Sequence, residues 1–323
     1  MRFTKYPYTV KSTDNIHTLN GIIYVPIGTV KATVQIIHGM SEHTEIYEEF
    51  MGILAENGYV AFIHDQLGHG KTAGSVEKLG FFAEENGDVI LVDDAYNFAA
   101  ELLDSYKGLK HILFGHSMGS FVARICSEKY LEMADGLIME GTGGSQKGSQ
   151  FGLAITDFGS KVKGLDYKSE LTQKVFFDIY NYEFKEEKND YSWITRDKDI
   201  IQQHINDEYF NFTFSLKAMN DLVMLSTKCN SDEWFDNYRK DLSTLIISGE
   251  KDPVGENGRG VMEVFKNLES RGVGDLSFKL YSECRHELIH ELNKEEVFED
   301  ILCWIGNRWA TPGGHAIRAH SFI

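Results

Sequence analysis

The chain has few cysteines, and their positions form no recognisable motif. The four in 323 residues are Cys126, Cys229, Cys284 and Cys303. They lie far apart, and no pair has the C-x-x-C spacing of redox or metal-binding motifs. Three of the four fall in apolar surroundings. We therefore predict reduced cysteines that contribute to the core.

Positive charge is also scarce. The sequence contains 32 Lys and Arg against 49 Asp and Glu, and its formal net charge is −17. Such a chain repels phosphate groups, which argues against a nucleic-acid partner and against constitutive binding to anionic lipid. We attribute most of this acidity to solubility.

Long apolar runs are missing as well. No run reaches the length of a membrane-spanning helix, and the first ten residues, MRFTKYPYTV, contain neither a continuous apolar stretch nor a small-residue cleavage site. We therefore expect no secretory signal and a cytoplasmic location. Internal repeats are not visible, and the sequence makes no prediction of oligomeric state.

Strand and helix patterns alternate along the chain. Short apolar runs of strand type are Tyr8–Lys11, Gly21–Val25, Val34–Ile37, Val60–His64, His111–Phe114, Gly136–Met139, Leu245–Ser248 and Phe278–Tyr281. Amphipathic segments lie near residues 44–57, 88–104, 118–130, 258–270 and 294–308. The alternation predicts an α/β fold with an eight-stranded, mostly parallel sheet flanked by helices.

One interval breaks this rhythm. About a hundred residues separate the strand at Gly136 from the strand at Leu245, far more than a single crossover needs. We predict a helical cap at 143–212, inserted between core parts at 1–142 and 213–310, with Phe214–Met224 returning to the core as a helix. Residues 311–323 have no apolar period and are predicted to be a frayed or added tail.

The most informative motif is Gly115-His116-Ser117-Met118-Gly119, which follows the strand His111–Phe114 directly. Apolar residues then recur at helical spacing, so the motif joins a strand to a helix. In such a G-x-S-x-G turn the serine hydroxyl is exposed at the edge of the sheet, and glycines allow neighbouring backbone to pass close by. The pattern predicts that Ser117 is a nucleophile.

A serine hydroxyl needs a base to take its proton and a carboxylate to orient that base. His286 follows the last predicted strand, and Asp252 follows the strand before it, which gives the chain order serine, acid, histidine. We predict His286 as the base, with His290 as the alternative, and Asp252 as the acid, with Glu140 as the alternative.

Two backbone donors should hold the oxyanion that forms during attack. The amide of Met118 lies at a helix N-terminus, and the amide of Met40 lies in the loop after the strand Val34–Ile37, where Gly39 permits a bend. A metal site of His38, Glu42 and His43 is the less favoured interpretation of that loop. The predicted chemistry needs no cofactor and no metal.

The chain resembles α/β-hydrolases of the monoacylglycerol lipase and lysophospholipase type, which are grouped by sequence with certain serine aminopeptidases. The matching segments are IIHGMSEHTEIY at 36–47, HDQLGHGKT at 64–72, GHSMGSFVAR at 115–124, SGEKDPVG at 248–255 and CRHELIHE at 284–291. The resemblance implies Ser117, Asp252 and His286 as the triad. It also implies the oxyanion amides of Met40 and Met118, and a structural turn at 68–70.

The substrate implied by the resemblance is a lipid or another ester with an apolar acyl chain. Substrate contacts are expected in the loop of His38, Gly39, Glu42 and Ile46, although Ile46 stands where monoacylglycerol lipases usually have an arginine. Glycerol recognition is therefore not predicted. Ser120, Arg124 and Arg285 are closer to bacterial sequences labelled lysophospholipase.

The cap carries many aromatic residues: Phe151, Phe158, Phe176, Phe177, Tyr180, Tyr182, Phe184, Tyr209 and Phe210. We expect about half of them to form the cap's own core and the others to line an apolar slot above Ser117. Any membrane contact would be transient and through this cap.

Two alternatives to an ester hydrolase stay open at this point. A proline-releasing aminopeptidase would need acidic cap residues to hold an amine, and Glu183, Glu186 and Glu187 are the candidates. A ligand-binding relative without activity would typically lack a triad residue, but Ser117, Asp252 and His286 are all present.

Overall fold

The computed structural model describes residues 2–145, 156–157, 159–210 and 212–309. Its single described sheet has the strands β1 Phe3–Lys11, β2 Thr18–Pro26, β3 Ala32–Ile37, β4 Tyr59–His64, β5 Lys110–His116, β6 Gly136–Glu140, β7 Ser243–Gly249 and β8 Leu276–Tyr281. Their order is β1-β2-β4-β3-β5-β6-β7-β8. From β4 onward along this order every pairing is parallel, and β2 is antiparallel to both of its neighbours. The predicted α/β fold is confirmed.

The helices that flank the sheet also agree with the predicted segments. They are α1 Glu48–Glu56, α2 Gly87–Asp104 and α3 Met118–Lys129 before the long interval, and α8 Arg259–Ser270 and α9 Lys294–Trp309 after β7. The first segment begins with a 3-10 turn, Thr44–Tyr47. Strand β1 is longer than the predicted Tyr8–Lys11. Its residues are exposed or half-buried at the edge of the sheet and form no apolar run, so the sequence pattern revealed only its second half.

Apolar side chains pack on both faces of the sheet. On β5, Ile112 and Phe114 join one cluster with residues of α1 and α9, whereas Leu113 joins the other cluster with residues of α2 and α3. Because successive side chains of a strand point to opposite faces, a strand covered on both sides appears in the sequence as a continuous apolar run. This explains why the central strands were easy to predict.

The long interval between β6 and β7 contains α4 Glu170–Tyr180, α5 Lys198–Asn206, α6 Leu216–Cys229 and α7 Asp232–Asn237. Helix α6 returns to the sheet, and its residues Ala218, Met219 and Leu225 belong to the cluster that contains α3. We call residues 143–212 the inserted segment. Its Tyr191, Trp193, Ile194 and Phe210 form a small cluster of their own with Val254.

Some predicted features lie outside the described part of the chain, namely Phe151, Phe158, the side chain of Phe176 and the tail at 311–323. Among the described helices, none is both long and apolar enough to cross a membrane. Cys126, Cys229 and Cys284 are buried with free thiols, as predicted for core residues, and Cys303 is exposed.

Candidate active site

Ser117 occupies the sharp turn between β5 and α3. Its backbone has φ 50° and ψ −120°, a conformation that non-glycine residues seldom adopt and that often marks functional sites. Glycine is required on both sides, because an added Cβ would lie 2.5 Å from the carbonyl oxygen of Gly119 if placed on Gly115 and 2.0 Å from that of Ile37 if placed on Gly119. The turn therefore has the close backbone approach that the motif predicted.

The structure brings Ser117, His286 and Asp252 together, although they are distant in sequence. The distance from Ser117 Oγ to His286 Nε2 is 2.8 Å, and His286 Nδ1 lies 2.9 Å from Asp252 Oδ1. Because a carboxylate only accepts, Nδ1 carries the hydrogen and donates it to Asp252. Nε2 of a neutral ring is then free to accept the serine hydroxyl proton.

Other contacts fix the orientation of Asp252. Its Oδ2 accepts a hydrogen bond of 3.0 Å from Ser248 Oγ, and its Oδ1 accepts one of 2.9 Å from the Val254 amide. The carboxylate is fully buried. A buried and fully hydrogen-bonded carboxylate has little freedom to turn away from the histidine.

The alternative residues have other partners. Glu140 binds Nδ1 of His116 and accepts a 2.9 Å hydrogen bond from the Leu288 amide. His290 places its ring nitrogens against Glu287 and the carbonyl oxygen of Ile46. The geometry thus favours Asp252 over Glu140 and His286 over His290.

His116 is an important residue of the site that the sequence did not reveal. Its Nδ1 faces Glu140, and its Nε2 lies 3.2 Å from Glu42 Oε1. Since both neighbours are acceptors, both ring nitrogens carry hydrogen. Burial lowers the pKa of His116, but the adjacent Glu140 and Glu42 outweigh it and raise the pKa well above its usual value. The ring is thus a buried imidazolium, 4.8 Å from the ring of His286 between centroids.

The predicted oxyanion donors are the backbone amides of Met40 and Met118. Within the described part of the chain, neither of them donates a hydrogen bond. The amides on either side of Met40 do have partners: the Gly39 amide donates to Glu42 Oε2 at 2.6 Å, and the Ser41 amide donates to His69 Nε2 at 3.2 Å. The predicted turn at 68–70 thus supports the Met40 loop through His69.

Three residues with predicted substrate contacts, His38, Gly39 and Ile46, do not line the cavity at Ser117, whereas Glu42 does. His38 is fully buried, and its Nε2 accepts a 3.0 Å hydrogen bond from the Gln66 amide. Ile46 packs against two apolar clusters. Substrate contact by these three residues stays a prediction to which the cavity lends no support.

The less favoured metal site of His38, Glu42 and His43 does not assemble, since His43 pairs with Asp207 at 2.8 Å. Among the described residues, two other buried groups have ligand atoms within 4.8 Å of one another. They are His204, Glu287 and His290, and Glu42, His116 and Glu287. Hydrogen bonds between histidine and carboxylate occupy both groups, so each is explained without a metal.

A cavity of about 1000 Å³, including its open mouth, lies above Ser117. The aromatic residues of the inserted segment that line it are Phe177, Tyr180, Tyr191, Trp193 and Phe210. The sequence named three of these and missed Tyr191 and Trp193, whereas the predicted Tyr182 is 70% exposed. Trp193 lies at the cavity because of a contact between distant parts of the chain, which the sequence pattern does not reveal. The carbonyl oxygens of residues 193 and 194 accept hydrogen bonds of 3.4 and 2.8 Å from the backbone amides of His286 and Glu287.

A second part of the cavity lining is apolar, and its residues on α6 are aliphatic. It is formed by Met219, Leu222 and Val223 of α6, together with Phe121 of α3 and Val254. The charged and ring groups of the lining lie together, because ligand atoms of Glu42, His116 and Glu287 are within 4.8 Å of one another and the ring of His116 is 4.8 Å from that of His286. This division suits a ligand with one long apolar part and one polar part.

The sheet is mostly parallel and has eight strands. Serine lies at a strand–helix turn, and the acid and the histidine follow later strands. Together these features define the α/β-hydrolase fold. A family model described as serine aminopeptidase, S33, matches residues 28–293, and the chain belongs to this family.

Individual relatives are similar over most of their length. Human monoglyceride lipase is 23% identical over 290 residues, which cover 89% of this chain and 86% of the relative. Monoglyceride lipase from Saccharomyces cerevisiae is 24% identical, covering 95% and 98%. The crystal structure of a highly thermostable carboxyl esterase from Bacillus coagulans in complex with glycerol superposes with a TM-score of 0.88, at 26% identity, covering 94% and 98%.

Proposed function

We propose that this protein is a serine hydrolase that cleaves carboxylic esters with apolar acyl chains, of the monoacylglycerol or lysophospholipid type, through an acyl-enzyme. The observation that carries the proposal is the hydrogen-bonded series Ser117, His286 and Asp252 at the floor of a mostly apolar cavity. The similarity to two monoglyceride lipases and a carboxyl esterase supports the choice of esters.

In the first half of the reaction, Ser117 Oγ attacks the ester carbonyl carbon and His286 Nε2 takes its proton. Collapse of the tetrahedral intermediate breaks the bond to the alcohol oxygen, which receives that proton from His286. Water then attacks the acyl-enzyme by the same route and releases the carboxylic acid. Asp252 keeps the imidazole in the required tautomer and stabilises its charged form.

The amides of Met40 and Met118 stabilise the oxyanion. Both residues line the cavity, and neither amide donates a hydrogen bond to any residue that the structure describes. Such fixed dipoles are most effective where charge develops in a dry site. His116 supports this arrangement indirectly. It connects Glu42, which accepts from the Gly39 amide, to Glu140 at the end of the neighbouring strand.

We assign the acyl chain to the wall of Met219, Leu222 and Val223. Burial of a methylene group contributes about 0.8 kcal/mol, so an apolar slot selects for chain length. Residues 143–212 act as the cap that supplies the aromatic side of this slot. The polar end near His286 receives the alcohol, because His286 must reach the leaving oxygen.

The contacts of the inserted segment argue against the aminopeptidase alternative. Glu187 pairs with Arg285, Glu183 accepts a 2.8 Å hydrogen bond from Asn257, and neither of them nor Glu186 lines the cavity. The predicted amine-binding carboxylates are therefore not at the site where a free amine would lie.

A substrate panel tests the proposal. It contains p-nitrophenyl esters of increasing chain length, a monoacylglycerol, a lysophospholipid and a proline anilide. We expect turnover of esters that increases with acyl length before it levels off, and none of the anilide. Turnover of the anilide without turnover of any ester would refute the assignment.

A further inference from the structure

Among the described residues that line the cavity, the carboxylates of Glu42 and Glu287 outnumber the one imidazolium, that of His116. Among the described residues, those lining it include the carboxylates of Glu42 and Glu287 and the rings of His116 and His286, but no lysine or arginine. The arginines that flank this region point elsewhere, since Arg285 pairs with Glu187 and Arg196 pairs with Glu291. A negatively charged ligand finds no fixed cation of the lysine or arginine type here.

Glu287 follows His286 directly, and its side chain is held in place from two elements. Its Oε2 lies 3.0 Å from His204 Nε2 of α5 and 2.8 Å from His290 Nδ1. His290 Nε2 is 3.0 Å from the carbonyl oxygen of Ile46, which only accepts. His290 therefore carries hydrogen on both nitrogens, and its charge keeps Glu287 ionised.

The electrostatic balance agrees with this geometry. Burial raises the pKa of Glu287, but His204 and His290 outweigh it and hold the pKa well below its usual value. Burial lowers the pKa of His290, and Glu287 more than compensates. A carboxylate oxygen of Glu287 lies within 4.8 Å of the ligand atoms of Glu42 and His116, which places two carboxylates side by side at the polar end of the cavity.

We infer that Glu287 is a specificity-determining residue for the leaving alcohol. Its carboxylate accepts a hydrogen bond from a hydroxyl or ammonium group of that alcohol and, with Glu42, repels one that carries a phosphate. The inference rests on the proposed function and narrows it from monoacylglycerol or lysophospholipid esters to esters of uncharged or cationic alcohols. The position beside His286 supports this role, because the leaving oxygen must lie next to that ring.

A series of four butyrate esters tests the inference on the wild-type enzyme. The alcohols are p-nitrophenol, glycerol, glycerol 3-phosphate and choline, and all four esters give the same acyl-enzyme. Differences in kcat/KM therefore report on the leaving group. We expect kcat/KM for the glycerol 3-phosphate ester to be at least about tenfold below that for the glycerol ester, since like charges in contact are strongly unfavourable. Equal values would overturn the inference.

The variant Glu287→Gln removes the charge and keeps the size of the side chain. The readout is the ratio of kcat/KM for the glycerol ester to that for its phosphate, so a general loss of activity cancels. We expect the ratio to fall about tenfold in Glu287→Gln and to keep its wild-type value in the matched control Glu183→Gln, whose carboxylate lies outside the cavity. An unchanged ratio in Glu287→Gln would overturn the role of this residue.

If Glu287→Gln does not fold, inhibition of the wild-type enzyme tests the predicted preference for cationic over anionic alcohols. The probes are 3-aminopropane-1,2-diol and glycerol 3-phosphate, each competing with p-nitrophenyl butyrate. The inference requires stronger inhibition by the amine, and equal or stronger inhibition by the phosphate would contradict it. Failure of the wild type to hydrolyse p-nitrophenyl butyrate at all would instead refute the proposed function.

Discussion

His116 and Glu140 are paired across neighbouring strands, at the last positions of β5 and β6, and their side chains are hydrogen-bonded to each other. The strand register thus places Glu140 against His116, the residue before the nucleophile. His286 contacts Asp252 instead, which lies in the loop after the next strand, β7. Asp252 and Glu140, the two candidate acids, thus contact different histidines.

The first prediction concerns the nucleophile. Ser117→Ala should abolish ester turnover while the fold is kept, because the hydroxyl is the group that bonds to the acyl carbon. A fluorophosphonate probe should label the wild type and leave the variant unlabelled, with circular dichroism as the check on folding. Labelling of the variant would place the nucleophile at another residue.

The two carboxylates allow a paired comparison. Asp252→Asn should lower kcat by about four orders of magnitude, because an amide no longer selects the tautomer in which Nε2 accepts the serine proton. Glu140→Gln should have the smaller effect on kcat, since Glu140 acts on His116. A larger loss in Glu140→Gln, measured with a p-nitrophenyl ester on folded protein, would assign the acid to the neighbouring strand.

Acyl-chain preference should depend on the aliphatic wall of the cavity. Leu222→Trp fills the slot, so the acyl length at which kcat/KM levels off should decrease, while acetate esters keep most of their turnover. Leu222→Ala is the matched variant that widens the slot and should move this length in the opposite direction. The same profile in both variants would mean that the acyl chain lies elsewhere.

Stability should pass through a maximum near pH 6.5, the usual pKa of histidine. On the acid side, burial lowers the pKa of His64 to about 3 and those of His69 and His111 to about 4. These rings are neutral when folded and take up protons when unfolded, so stability is lost as the pH falls from 6.5 towards those values. Burial opposes this trend by raising the pKa of Asp221 to about 6 and the pKa values of Asp65 and Asp94, whereas the lowered pKa values of Glu42 and Glu287 reinforce it.

On the alkaline side the sign is reversed. His116 and His290 have raised pKa values, so they keep their protons in the folded protein above pH 6.5 and lose them on unfolding. The free energy of unfolding should decline as the pH rises above 6.5, by at most about 1.4 kcal/mol per pH unit for each group while it keeps its proton in the folded protein. Urea unfolding between pH 6.5 and 8.5 measures the slope, which His290→Gln should reduce. A flat wild-type profile would contradict both assignments.

Sequence alone was sufficient for features that depend on a short stretch of chain. The strand before Ser117, the helix after it and the two flanking glycines are local, and the order of Asp252 and His286 follows from the order of strands. The predicted helix at Phe214–Met224 corresponds to α6, since its apolar spacing is also local.

The missed residues all depend on contacts between distant parts of the chain. His116 and Glu140 lie 24 residues apart, and only the strand register brings them together, although their places at two predicted strand ends were a usable signal. Glu287 and His204 lie 83 residues apart and meet only when the inserted segment is folded over the sheet. No periodicity or motif in the sequence predicts the contact between Glu287 and His204.

The backbone hydrogen bonds from His286 and Glu287 to residues 193 and 194 have a mechanical consequence. Around Trp193 the inserted segment is attached to the same loop that carries the base, so displacing it would also displace His286. The indole of Trp193 is thereby held in place beside the ring of His286, 5.1 Å away between ring centroids, so any change that shifts this part of the cavity wall also shifts the histidine.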